Sequence, residues 1–404
     1  MRRHALGVYL GGCLLSAVGS GIVAPFTAIY LTAARGFPLG TVGLVLAVIA
    51  AANIAGSLAG GLLIDRFGLR GVVAVSLVVQ AAGWVALGFA ATPGPAIAAA
   101  ALAGLGGGGF YPVSVPILVA LVPPARQRRA FSLRSTATGL GTGVGAALGG
   151  LLLGTTSVAA FQLMFVLNAA SYLLFCGLLL AVLRGRSPTV DRSAPGRGGV
   201  DGMLAWLLVL QTLLVLAGFG QFNAAVPLLL QTWVGLGTGL IGVVVATGTT
   251  TLVVLQLAVG RLSERRSPAT MLTALGLVWA VGWGCGLVAV FLQPVGTTTA
   301  LVAMAVLYGV GACVFQPNFQ PLLAAAVPPA RLGRASGYAA SAWGLALVVA
   351  SPGGVLLVGA GPVLLWAVLA ALALASSALA HRLGRLAPGV VEDSEPPVPA
   401  ASRR

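Results

Sequence analysis

Charged residues make up 7% of this 404-residue chain, yet Asp65, Arg66 and Arg70 fall close together in "GGLLIDRFGLRG", residues 60 to 71. A carboxylate and two guanidinium groups so near one another raise the question of catalysis. An enzyme site would need a convergent nucleophile, base or metal set, and the sequence offers none. The neighbouring Gly61 and Gly68 point instead to a tight turn where backbones approach closely. A carboxylate ending an apolar helix accepts hydrogen bonds from a neighbouring helix N-terminus, whose dipole is positive. Arg66 and Arg70 would add ion-pair contacts. A weaker copy of the pattern stands at Gly260, Glu264, Arg265 and Arg266.

Other chemistry-bearing patterns are few. "GLGGGG", Gly104 to Gly109, formally contains G-x-G-x-x-G, but it lies inside an apolar run with no strand before it, so a dinucleotide site is not expected. There is no Walker A sequence, and no His, Asp or Glu cluster has metal-ligand spacing. Cys13, Cys176, Cys285 and Cys313 are isolated within apolar runs and read as small apolar fillers. No cofactor or metal is expected. Arg134 stands about one turn inside an apolar run, where facing lipid would cost roughly 2.5–3.5 kcal/mol. It should face the cavity between the two halves or snorkel to the cytoplasmic surface. In a cavity it would attract an anionic substrate or pair with backbone carbonyls.

The elements that position these groups follow from composition. A chain that is 58% apolar, with mean hydropathy +1.04 and no lysine, uses lipid as its solvent. Apolar cores at 6–32, 39–64, 71–91, 96–121, 131–154, 158–183, 203–232, 238–260, 268–292, 298–326, 335–358 and 361–381 are each long enough to cross a bilayer as a helix. Twelve crossings put both termini on one side. All arginines except Arg35 fall at the N-terminus, in or beside the even-numbered connections, or in the tail, so the positive-inside rule makes that side cytoplasmic. The net charge of +15 is therefore topological, since a nucleic-acid binder would gather its arginines on one face. The Gly-, Pro-, Ser- and Arg-rich stretch 184–201 reads as a cytoplasmic linker between bundles 1–183 and 202–383, and 384–404 as a disordered cytoplasmic tail.

The two halves repeat. "FYPVSVPILVALVPPARQRRA", 110–130, aligns without gaps to "FQPNFQPLLAAAVPPARLGRA", 315–335. Phe110, Pro112, Pro116, Leu118, Ala120, Val122 to Arg126, Arg129 and Ala130 all find identical residues at this constant offset of 205. Many secondary transporters are built from such half-chain repeats.

Gly61, Asp65, Arg66, Gly68 and Arg70 fit G-x-x-x-D-R-x-G-x-R, which resembles motif A of the major facilitator superfamily, between helices 2 and 3. The Gly260, Glu264, Arg265 and Arg266 cluster stands where that fold repeats the loop. The motif's final basic position is Gly71 here. Gly141, Gly145, Gly149 and Gly150 resemble motif C, which is associated with antiporters, although Ser132 and Ala146 replace its first glycine and its proline. With the twelve spans and the half repeat, the resemblance covers nearly the whole chain. It implies an all-α membrane protein with two pseudo-symmetric six-helix bundles, working as a monomer by alternating access. The expected cargo is a small lipophilic or drug-like compound exported through the plasma (inner) membrane. In the family, Asp65 would meet helix 11 near Arg334 while the cytoplasmic side is closed.

Proton antiport follows from the resemblance, but the arginine that drug/proton antiporters often carry in helix 4 is Ala100 here, and no span contains a buried Asp, Glu or Lys. Uptake of a metabolite and ion-independent facilitation are the alternatives, and a polytopic membrane enzyme a remote one. On the helices that line the centre of this fold, the polar and aromatic candidates for the substrate cavity are Tyr30, Asn53, Tyr111, Arg134, Gln221, Asn223, Gln256, Tyr308, Gln316, Asn318, Tyr338 and Trp343, with helix-to-helix hydrogen bonding the alternative for each amide. Gln80, on a peripheral helix, is an exception to the contrast. Pro25 and Pro227 mark related bending points in the first and seventh spans.

Overall fold

A computed structural model describes residues 2–152, 157–184, 200–222, 225–234, 238–263 and 266–386. Twelve long helices account for nearly all of them: α1 (His4–Ala34), α2 (Leu39–Ile64), α3 (Arg66–Phe89), α4 (Pro93–Leu121), α5 (Pro124–Leu152), α6 (Val158–Val182), α7 (Gly202–Phe222), α8 (Leu240–Ser263), α9 (Pro268–Ala289), α10 (Pro294–Ala326), α11 (Leu332–Ala360) and α12 (Pro362–Leu386). In hydrocarbon every backbone polar group must be satisfied internally, so apolar runs of this length have helix as their solution. Eleven of the twelve have the length and apolar composition of a membrane span. The other, α5, is long enough at 29 residues, but carries four arginines and many Ser, Thr and Gly residues. The expected linker at 184–201 falls largely outside the described residues, as do the expected tail beyond Leu386 and Asn223.

The turn between α2 and α3 is tighter than the expected gap of 65–70. Helical geometry runs almost unbroken from Leu39 to Phe89, interrupted at Gly68, with φ 70° and ψ 169°. Only glycine adopts that backbone region without strain, so Gly68→Ala should cost roughly 1–3 kcal/mol. A thermal melt of the purified variant in detergent should show a lower midpoint. An unchanged midpoint would mean that the turn relaxes freely.

Two compact units make up the chain. The first comprises residues 1–122, 133–195 and 328–344; the second comprises 123–132, 196–327 and 345–404. Each unit thus incorporates a short stretch of the opposite sequence half: the start of α11 belongs to the first, the start of α5 to the second. Within the first, α4 packs on the α2–α3 pair, and α6 packs on that pair and on α1. Within the second, α10 packs on α8 and α9, and α12 packs on α9.

Close packing rests on small residues, as expected where lipid removes the hydrophobic drive between helices. The Gly104–Gly109 run is such a seam: a side chain on Gly104 would strike Ile49 O of α2, and one on Gly106 would strike Gln80 of α3. Pro112 and Pro116 lie inside α4, and their repeat partners Pro317 and Pro321 inside α10. Pro25 sits in a 3-10 turn at Ala24–Phe26 that interrupts α1, with π-helix at Tyr30–Ala34. In α7, π-helix occupies Val215–Phe219, and Pro227 follows in a short helix, Ala225–Thr232.

Arg35, the arginine set apart from the others, has a local explanation. Its Nε donates to the Tyr30 hydroxyl (2.6 Å) and its Nη2 to Gly88 O (2.9 Å), while Tyr30 Oη donates to the same carbonyl (2.5 Å). A cation thereby caps the C-terminal end of α3, where the helix dipole is negative.

Candidate functional site

All six helices of the first sequence half contribute to a cavity of about 350 Å³ within the first unit. Its polar lining includes Ser16 and Ser20 of α1, Asn53 of α2, Gln80 of α3, Tyr111 of α4, Arg134, Thr138 and Thr142 of α5, and Tyr172 of α6. Phe110 and Phe175 form an aromatic wall, ring centroids 5.4 Å apart, edge to face. The Ser20 and Tyr172 hydroxyls are hydrogen-bonded at 2.9 Å. Arg134 lies beside Cys13, Tyr9 and Tyr111. It carries the only formal charge among the lining residues. Arg134 thus lines a cavity within the first unit.

The glycines that resemble motif C hold α5 against α1 in the same unit. A Cβ on Gly141 would come within 2.6 Å of Leu14 O, one on Gly149 within 2.7 Å of Ile22 O, and one on Gly145 would strike Val18 O. Gly150 has Phe26 at 3.9 Å. Gly145→Ala should therefore cost roughly 1–3 kcal/mol through overpacking. Gly143→Ala, with nothing within 4 Å, should stay within about 0.5 kcal/mol. Thermal melts of the two variants check this contrast.

At the arginine-rich end of the first unit, α2 meets the beginning of α11 along facing small residues. A Cβ on Gly337 would lie 2.7 Å from Ser57 O and 3.1 Å from Gly61 Cα; one on Gly333 would lie 2.9 Å from Ile64 Cδ1. One turn further on, Ser341 Oγ donates to Ile54 O (3.3 Å). The side chain of Asp65 lies outside the described residues, but Ile64 before it packs on Gly333 beside Arg334. Arg66 and Arg70 are exposed, with the Arg66 guanidinium 5.6 Å from the Phe67 ring centroid.

The second unit repeats this junction with different chemistry. Here α8 meets the beginning of α5: Ser132 Oγ donates to Gln256 O (3.1 Å), a side chain on Gly260 would strike Ser132 Oγ, and the buried Arg128 donates through Nη1 to Ser263 O (2.5 Å) and Arg266 O (2.6 Å). The half repeat aligns Ser132 with Gly337 and Arg128 with Gly333, and the motif copies align Gly260 with Gly61 and Ser263 with Ile64. The same pairs of positions thus touch in both junctions. In one, glycine lets backbones approach; in the other, a guanidinium neutralises the end of α8, where the dipole is negative. Glu264 and Arg265 lie outside the described residues.

Among the described residues, the remaining candidates lie outside this lining. Tyr30 is buried in the first unit's core between Phe161 and Phe165. In the second unit Tyr308 stacks on Phe222 (3.7 Å, 7°) and on Trp279, whose Nε1 donates to Tyr308 O (3.0 Å). Gln221 Nε2 donates to Ala350 O (2.9 Å), and Gln256 Nε2 to Cys313 O (3.2 Å). Asn318 Nδ2 donates to Ser263 Oγ (3.1 Å) and Val314 O (2.7 Å). These amides serve helix-to-helix hydrogen bonding. Gln316 and Trp343 are half-buried, and Tyr338 is exposed. Arg128 reads in the sequence as one more topological anchor among the loop arginines, but the structure places it in a junction, and Gln80 and Gly107 line the first-unit cavity. Extending the half repeat by two residues to Ser132 and Gly337 would have exposed the junctions.

Comparison with known proteins adds the following. The sequence profile of the Major Facilitator Superfamily matches residues 9–210 and 207–402. The multidrug resistance protein MdtH of Aeromonas hydrophila subsp. hydrophila is 26% identical over 340 residues, covering 83% of this chain and 82% of that protein. Among solved structures, a bacterial homologue of the iron transporter ferroportin in its outward-facing state superposes with TM-score 0.78 at 18% identity, over 96% of this chain and 99% of that one. The human organic anion transporter MFSD10 superposes with TM-score 0.75 at 18% identity, over 94% and 99%.

Proposed function

This chain belongs to the major facilitator superfamily and is an integral membrane transporter, not an enzyme; on that premise we propose that it exports a small lipophilic compound by alternating access. The reading is carried by the two repeat-related junctions, α2 with α11 and α5 with α8, which form at the arginine-rich ends of both units. Contacts built from glycine faces and one guanidinium suit joints that form and part during a cycle. The positive-inside rule supports a cytoplasmic location for the arginine-rich end, the linker and both termini, in the plasma (inner) membrane. The similarity to a multidrug resistance protein supports an efflux direction. Apart from Arg134, the aromatic and neutral hydrogen-bonding walls suit a lipophilic cargo of modest size.

Energy coupling has two readings. Proton antiport is the inherited one. Ion-independent facilitation is favoured by the sequence itself, since no span contains an Asp or Glu able to carry a proton across. Flux of a labelled compound panel into proteoliposomes, with and without an imposed pH gradient, separates them. Antiport requires gradient-driven accumulation; facilitation requires equilibration at a rate indifferent to the gradient. No flux of any compound would remove the transport assignment.

A further inference from the structure

We propose that the cavity of the first unit is an organic-anion site, with Arg134 holding the acidic group and the aromatic wall holding the apolar body; this names the substrate class of the transport reading and rests on it. Arg134 stands within the membrane-spanning bundle with no carboxylate in the lining around it. All seven acids of the chain lie outside the membrane spans. A guanidinium so placed forgoes bulk hydration without gaining an opposite charge, an arrangement that a bound anion completes.

The cavity floor adds donors. Both Asn53 Nδ2 and Gln80 Nε2 approach the space over Gly107: a Cβ there would lie 3.2 Å from one and 3.1 Å from the other. Glycine at 107 therefore leaves a notch bordered by two amide nitrogens, and both amides line the same cavity as Arg134 and Tyr111. Planar guanidinium and amide donors match a carboxylate, sulfonate or phosphate. Phe110 and Phe175 offer the surface for an aromatic or alicyclic body. The chemistry predicted is one acidic group on an apolar frame small enough for about 350 Å³.

The test uses three probes of one shape, 1-naphthoate, 1-naphthamide and 1-naphthylmethylammonium, with the full-length protein in phosphatidylcholine nanodiscs. Wild type should bind in the order anion, amide, cation. Arg134→Gln should weaken naphthoate about tenfold or more and leave naphthamide within about twofold, whereas Arg134→Lys should recover part of the loss. Gly107→Ala, which fills the notch and keeps the charge, should also weaken naphthoate selectively. Equal binding of anion and amide by wild type, or equal losses for both in Arg134→Gln, would overturn the proposal. Because an acidic lipid headgroup shares this chemistry, the titration is repeated with phosphatidylglycerol in the disc. Unchanged naphthoate affinity supports a soluble anion, and abolition of binding overturns that assignment. In proteoliposomes, flux of naphthamide without anion preference would refute the anion site alone. Selective naphthoate binding without flux of any probe would refute the transport reading alone.

Discussion

Gly337→Val should abolish transport while the protein still inserts and purifies at near wild-type yield. A side chain at 337 meets Ser57 O at 2.7 Å and the Gly61 backbone at 3.1 Å, so neither partner has a flexible end that can swing away. Overpacking of this kind costs roughly 1–3 kcal/mol. Its effect falls on the arrangement in which α2 and α11 touch, and an arrangement in which they part escapes it. A bias of that size shifts a two-state equilibrium by about 5–150-fold. Such a bias starves the cycle of one of its states without unfolding either. Gly353→Val, in the same helix with nothing within 4 Å, should keep transport. Initial rates in proteoliposomes, normalised to protein incorporated, make the comparison; equal rates for the two variants would mean that the α2–α11 contact is not a working joint.

Arg128→Ala should be nearly as damaging through the opposite chemistry. Its guanidinium donates to Ser263 O and Arg266 O at the end of α8. Hydrogen bonds from a charged donor are worth roughly 1.5–3 kcal/mol, and the carbonyl of buried Ser263 left without a donor adds a desolvation penalty. Arg128→Lys keeps the charge but not the planar fork, and should retain intermediate activity. In the proposed cycle both junctions form in the same state, so Arg128→Ala combined with Gly337→Val should cost less than the sum of the two single effects on transport. Strictly additive losses would show that the two junctions act in different steps.

Much of the architecture was legible in the sequence because membrane helices announce themselves by length and apolarity, and arginine placement orders the connections. The functional details were less legible for a physical reason. Core-facing and lipid-facing positions are both apolar here, so the periodicity that marks a buried face in a soluble helix is lost. Tyr30 and Tyr308 were conspicuous as polar aromatics on central helices, yet their rings pack in cores. Asn53, Tyr111 and Arg134 were equally conspicuous, and these three do converge on one cavity. Gln80 joins them from a peripheral helix only because Gly107 provides the space, a three-dimensional fact with no one-dimensional trace. The near-continuous α2–α3 helix was missed because the charges around Asp65 read as a loop, whereas the backbone needs just one non-helical residue, Gly68, to turn.

The most direct measurement is the separation between α2 and α11 at the arginine-rich end. Spin labels at Phe67 and Arg331, both exposed, would be introduced into a chain whose four cysteines have been replaced. Wild type should show two distance populations by electron–electron resonance, and Gly337→Val only the longer. A single separation, identical in wild type and variant, would contradict a joint that opens and closes.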